Sequence, residues 1–239
     1  MQAERLHSPL SIDCIRDGAV YVLPPSDLVQ TNLFLKIGRI DELFIKLPSE
    51  RGFSDYLKLI KMGLSGPEDV RAIEEAERFE NLDAALDRCG MRRALAASAE
   101  VAHYLAVHAI QFERLKSQNA VGVPRTRFAV SRWTRLGILR RNQPVIFQEQ
   151  IPGTTLWDMF DFAGLRLKDQ WQAFRAMISA QLFTLMESGL LNHIDWNIKN
   201  FVFDPIRRRL FYVDVKPTVF ITRQSNEHNL KGIRDYLLL

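Results

Sequence analysis

The stretch that most constrains this chain is Leu191-Asn192-His193-Ile194-Asp195-Trp196-Asn197-Ile198-Lys199-Asn200-Phe201-Val202-Phe203-Asp204. His193, a carboxylate two residues on at Asp195 and an amide five further at Asn200 form its polar skeleton. Apolar Phe201, Val202 and Phe203 run into Asp204-Pro205, a hairpin-turn signal. A second strand, Leu210 to Val213, follows and ends in Asp214. The hairpin therefore delivers two carboxylates and one amide at its two ends. Hard oxygen donors in that pattern suit a divalent cation with a reacting hydroxyl beside it. The blander alternative is a surface hairpin whose Asp and Asn side chains only shape turns.

A chain of 239 residues can bury a sizeable core, in one domain or in two small lobes. Its 47% hydrophobic and 25% charged residues are ordinary for a globular protein. A net charge of +4 is too mild to mark a nucleic-acid binder, and no aromatic-basic motif supports that class. The charge suits an anionic substrate or an anionic membrane surface equally well. Cys14 and Cys89 show no metal-ligand spacing. With no signal peptide and no apolar run of about 20 residues, the expected place is the cytoplasm, with room for peripheral association at the inner face of a membrane.

Ser11 to Leu47 reads as strands. Asp17-Gly18 suggests a hairpin between Cys14-Ile15 and Ala19–Leu23, and Gly38-Arg39 a second between Leu33–Ile37 and Leu43–Leu47. Glu50 to Ala97 reads as charged and helical. Val70, Ile73, Ala76, Phe79, Leu82 and Leu86 recur at helical spacing, between a start at Ser65-Gly66-Pro67 and a stop at Cys89-Gly90. Ser98 to Lys116 is an amphipathic helix with Val101, Leu105, His108-Ala109, Phe112 and Leu115 on its apolar stripe. His103 and His108, five apart and off a common face, read as structural rather than as a metal pair. Phe128–Val130 and Pro144–Gln150 are the next strands. A basic segment, Arg132 to Arg141, joins them as a solvated loop or as a patch facing an anionic substrate or membrane. Asp169 to Ser188 is a second helix, stopped by Gly189, and Ser225 caps a last one.

The pattern His193-x-Asp195-x-x-x-x-Asn200, a hairpin and then Asp214 resembles the catalytic loop and metal-binding Asp of the protein-kinase-like phosphotransferases. The resemblance implies an α+β, bilobal, protein-kinase-like fold. Residues 1–150 would form an N-lobe with an antiparallel nucleotide-binding sheet, a helical insertion and a C-helix. Residues 151–239 would form a truncated helical C-lobe carrying the catalytic loop. It further implies ATP and Mg2+ as cofactors. Asp195 would orient the substrate hydroxyl, and Asn200 and Asp214 would hold the metal. His193 would brace the loop. Lys46, in an apolar strand ending at Pro48, resembles the ATP-anchoring lysine. Glu113 matches its helix partner, with Glu100 the runner-up. Gln148–Gly153 resembles the hinge, whose Glu149 carbonyl and Ile151 amide would bond adenine.

The chain departs from that pattern in three places. Ile194 stands where the family has Arg, Val215-Lys216 follow Asp214 in place of Phe-Gly, and no Gly-x-Gly-x-x-Gly precedes Lys46. The Leu23–Ser26 turn or the Gly38 hairpin would then have to cover the phosphates. Little chain follows Asp214, so the helical platform that receives a protein substrate finds no counterpart. Small kinase-like folds of this kind occur among bacterial sugar and lipopolysaccharide-core kinases, whose Asn-Phe resembles Asn200-Phe201. The expected activity is transfer of a phosphoryl group from ATP to a hydroxyl of a small-molecule or saccharide acceptor. The alternative is a pseudokinase, a binding or regulatory module without chemistry.

Overall fold

The structure, a computed structural model, describes residues 3–5, 11–23, 28–30, 35–62, 86–135, 139–159, 168–216, 221 and 223–237. They form a mixed α+β chain that divides into two units. The first comprises Met1–Ile110 and Arg125–Gln150, the second Gln111–Pro124 and Ile151–Leu239.

The first unit is built on a sheet in the order β1-β2-β6-β7-β5-β4-β3. Its strands are β1 (Glu4–Arg5), β2 (Val20–Val22), β3 (Leu28–Gln30), β4 (Leu35–Ile40), β5 (Leu43–Pro48), β6 (Thr126–Arg135) and β7 (Leu139–Glu149). Pairing from β6 through β7, β5 and β4 to β3 is antiparallel. β2 pairs parallel with both β1 and β6, so the sheet is mixed rather than antiparallel throughout.

The parallel edge corrects the first expected hairpin. Ile12–Cys14 forms a short 3-10 turn instead of a strand. The Asp17 carboxylate accepts the Phe128 amide at 2.9 Å and Arg127 at 3.0 Å, and Gly18 N donates to Phe128 O at 2.7 Å. These bonds dock Asp17-Gly18 onto β6, with Gly18 at φ +69°, so the chain enters β2 alongside β6 rather than folding back. The second hairpin forms, but its turn is Asp41-Glu42. Ile40 pairs with Leu43, Asp41 takes φ 51°, and Gly38 sits inside β4 opposite Ile45. Asp tolerates that left-handed backbone better than most residues, and so it competes with glycine for the turn. The Arg132–Arg141 segment is likewise the far end of a long hairpin. β6 and β7 stay paired to Arg135↔Leu139.

Leu43, Ile45 and Leu47 of β5 point into a core with Tyr21, Ala129, Val145 and Phe147. By the two-residue period of a strand, Phe44 and Lys46 take the opposite face, where both are half-buried. Helix α1 (Glu50–Met62) follows at once, started by buried Ser49, whose Oγ accepts the Gly52 amide at 3.0 Å. The helix expected over Glu68–Leu86 lies, Leu86 apart, outside the described residues. Its stop is seen: residues 86–88 are helical and Gly90 takes φ +70°. The short helix α2 (Arg92–Leu95) precedes helix α3 (Ala99–Gln118). The expected stripe of α3 is buried, but so are Ala102, Tyr104, Ala106, Val107 and Gln111, a wider face than the periodicity implied. His108 gives its ring nitrogen to Tyr104 O at 2.8 Å, as a structural residue does.

The second unit takes the end of α3. Leu115 and Val121 pack in its core, and Gly122 exchanges backbone bonds with Leu210 O and Tyr212 N at 2.7 and 2.9 Å. The segment Gln111–Pro124, expected with the first lobe, therefore groups with the second. A three-stranded antiparallel sheet, β10-β9-β8, consists of β8 (Thr154–Thr155), β9 (Phe201–Asp204) and β10 (Arg209–Tyr212). Phe201, Phe203, Leu210 and Tyr212 face one core, with Ile178, Leu182 and Leu185 of helix α5 (Lys168–Glu187). Val202 and Phe211 face Ile151 on the other side. Helix α4 (Leu156–Met159) leaves β8, Gly189 at φ +77° ends α5, and helix α6 (Arg223–Leu237) closes the chain, starting ahead of Ser225.

Gly153 lies where β8 meets β9 so closely that a Cβ would sit 2.2 Å from Phe203 O. Only glycine lets two backbones approach this way. Gly153→Ala is expected to cost about 1–3 kcal/mol in urea unfolding of the full chain. An unchanged midpoint would show that the β8–β9 approach is not as close as described.

Candidate functional site

The site is built at the open end of the β9–β10 hairpin, where β9 enters and β10 leaves, opposite its turn. Asp204 is fully buried and its Oδ1 accepts the amides of Ile206 and Arg207 at 2.9 and 3.1 Å. That explains why Asp204-Pro205 turns the chain here, over Pro205–Arg208 with Arg208 at φ 52°. The opposite end of the hairpin holds the polar residues. Val213 N donates to Asn200 O at 2.8 Å, which fixes the exit of β10 against the entry of β9.

Asp195 is anchored through its backbone. Its amide donates to the Tyr212 hydroxyl at 3.0 Å, and its carbonyl accepts the Asn200 side-chain amide at 3.3 Å. Its Oδ1 accepts the Asn197 amide at 3.3 Å. The loop on either side is pinned as well. Trp196 is fully buried, gives Nε1–H to Leu191 O at 3.0 Å, stacks on Phe201, and donates its amide to Asn226 Oδ1 of α6 at 2.8 Å. Lys199 lies 4.4 Å from the centre of the Trp157 ring.

The second oxygen of Asp195 meets the Lys216 ammonium in an ion pair, and the same ammonium lies 3.7 Å from Asp214 Oδ2. Asp195, Asn200 and Asp214 thus come together, with one cationic group between the two carboxylates. The three side chains of the ion pairs are 18% (Asp195), 33% (Asp214) and 27% (Lys216) exposed, so the cluster is shielded yet reachable from solvent. Burial, and then the Asp214 charge, push the Tyr212 phenol well above its ordinary pKa. Tyr212 stays a neutral anchor for the Asp195 amide.

His193 braces the loop. Its carbonyl accepts Gln111 Nε2 at 2.9 Å, and Arg114 lies 3.1 Å from its Nδ1 while bonding Gln111 Oε1 at 2.9 Å. Arginine can only donate, so Nδ1 accepts and the ring is neutral. Burial, and then the Arg114 charge, lower its pKa below 6.5.

The remaining predicted residues are placed as follows. Lys46 is half-buried in β5 of the first unit, in register with Ile37 and Ile146. Glu149 ends β7, and its side chain bonds Arg125 Nε at 3.1 Å. Ile151 is buried against Val202 and Phe211. Glu113 is exposed on α3 and pairs with Lys116, one turn on, at 3.6 Å, the geometry of a solvated surface charge. Glu100 is exposed too. Of the two expected phosphate covers, Pro24–Ser26 lie outside the described residues and Gly38 belongs to a strand.

Sequence reasoning passed over Lys216, Tyr212, Asn226, Gln111 and Arg114. Lys216 had a signal: residues two apart in an extended run share a face, which puts it with Asp214. The long-range partners carried none. Among the described residues no group of three His, Cys, Asp or Glu converges as a metal site, and no helix is long and apolar enough to cross a membrane. The donor set at the hairpin is two carboxylates and an amide, all oxygen, and both carboxylates already face one positive group. It fits a hard divalent cation and not a soft one.

Compared with known proteins, the chain matches no family model, and no curated protein is similar enough in sequence to match it.

Two outcomes are expected from this geometry. Tyr212→Phe takes the acceptor from the Asp195 amide and should cost about 1–3 kcal/mol in chemical unfolding; a neutral result would mean another acceptor serves. His193 has a folded pKa below its unfolded 6.5, as does half-buried His103, lowered by burial. The unfolded chain therefore binds more protons on acidification. Stability should be full above about pH 6.5 and fall as pH drops through the lowered folded values, with a shallower fall in His193→Gln. Melting curves that are flat across that window would contradict the neutral-His193 geometry.

Proposed function

We propose that this chain is an ATP-dependent phosphotransferase acting on a hydroxyl of a small-molecule or saccharide acceptor. The observation that carries the reading is the convergence of Asp195, Asn200 and Asp214 at one end of the β9–β10 hairpin, with both carboxylates facing a single positive group. Asn200 and Asp214 would hold Mg2+, which supplies charge neutralisation on the ATP phosphates when bound. Asp195, held by the Tyr212 hydroxyl, would receive the acceptor hydroxyl and orient it for in-line attack. Phosphoryl transfer asks mainly for positioning and charge, and a backbone-anchored carboxylate on a rigid hairpin supplies positioning. Within the first unit, Lys46 would hold phosphate and the Glu149 carbonyl would bond adenine. The basic residues of the β6–β7 hairpin suit an anionic acceptor or an anionic membrane surface.

A second reading is favoured by one observation. Lys216 gives both carboxylates an internal partner, so the cluster could be a structural ion pair in a pseudokinase.

A thermal-shift titration with ATP and Mg2+ separates the two. A ligand that binds only the folded chain raises its melting point by mass action. The phosphotransferase reading expects a shift with Mg–ATP that Asp214→Asn removes. It expects ATP turnover that Asp195→Ala abolishes while that variant stays folded. No shift, or undiminished turnover in Asp195→Ala, would leave the binding-module reading.

A further inference from the structure

The Lys216 side chain is the one strong feature of the hairpin that the proposed reaction does not use. Its ammonium contacts the Asp195 carboxylate and lies 3.7 Å from Asp214 Oδ2. The Asp195 backbone is tied on both sides, its amide to Tyr212 and its carbonyl to Asn200. The ion pair therefore rests on a rigid base and a flexible tip, since a lysine stem has four rotatable carbons. The carboxylates are placed by the hairpin, whereas the ammonium can leave.

We propose that Lys216 is a built-in competitor for the divalent cation at Asp214. This inference rests on the reading of Asn200 and Asp214 as metal ligands. One carboxylate oxygen cannot direct its charge fully to an ammonium and to a metal ion at once. Free divalent metal then binds only the fraction of molecules in which Lys216 has swung aside, and its apparent affinity is reduced by that fraction. A metal arriving with a nucleotide brings phosphate oxygens, which offer the displaced ammonium a new anionic partner. Lys216 thereby biases the site against free metal and toward the metal–nucleotide complex.

Binding of Mn2+ alone to the full-length chain, followed by electron paramagnetic resonance, tests this. Lys216→Met should bind Mn2+ several-fold more tightly than wild type, up to about fivefold, as expected when the competent fraction is about one fifth. Lys216→Arg, which keeps a cation, should remain near wild type, and Asp214→Asn should leave the six-line signal of free Mn2+ unattenuated. Circular dichroism and melting points establish that each variant folds, and Lys216→Gln is read in place of Lys216→Met if that variant does not. Equal Mn2+ affinity in wild type and Lys216→Met overturns the inference and leaves the metal site standing. No Mn2+ binding in any of the proteins overturns both the inference and the metal reading beneath it.

Discussion

Two carboxylates that face one partly shielded space need positive charge between them. In water two like charges 4 Å apart repel by about 1 kcal/mol, and near a protein surface by about 4 kcal/mol. The hairpin of the second unit imposes this problem by bringing Asp195 and Asp214 together, and Lys216 answers it within the chain. Partly exposed ion pairs contribute on the order of 1 kcal/mol or less. Under the proposed function, a metal–triphosphate complex would displace the lysine without unfolding its surroundings. The same weak pair that stabilises the resting cluster leaves it open to a stronger cation, and the proposed chemistry depends on that difference.

The cluster keeps its shape because the supports beneath it are apolar and buried. Trp196, Phe201, Phe203, Leu210 and Tyr212 fill the core under the loop, and α5 packs against the same face. Replacing a buried Trp by Ala typically costs about 3–5 kcal/mol. The loop thus rests on a term several times larger than the ion pair it presents. Polar bonds from distant segments finish the work: Asn226 from α6 takes the Trp196 amide, and Gln111 from α3 takes the His193 carbonyl. Each satisfies a loop backbone group through a side chain that costs little to orient, because its own helix is already fixed.

Much of this was legible in the sequence where local pattern governs. The β9–β10 hairpin, both long helices and their glycine or cap signals follow from spacing alone, and the convergence of residues 195, 200 and 214 follows from the hairpin. The misreadings share one cause. Asp17-Gly18 looked like a hairpin turn, but its partner is Phe128, more than a hundred residues away. Gly38 looked like a turn residue, but antiparallel register between β4 and β5 placed it mid-strand and gave the turn to Asp41. The basic stretch of β6 and β7 looked like a loop because its charges hide strand alternation, although the two strands stay paired to Arg135↔Leu139. Lys216 was visible only as a departure from a resemblance, although its two-residue offset from Asp214 already placed it on the same side.

The most direct measurement is the anomalous scattering of Mn2+ in crystals of the full chain grown with a non-hydrolysable ATP analogue. The account predicts a peak about 2.1–2.3 Å from side-chain oxygens of Asn200 and Asp214, in contact with the analogue's phosphates, with the Lys216 ammonium moved off the carboxylate pair. Nucleotide bound elsewhere, or Lys216 still bridging Asp195 and Asp214 with no metal beside them, would contradict it.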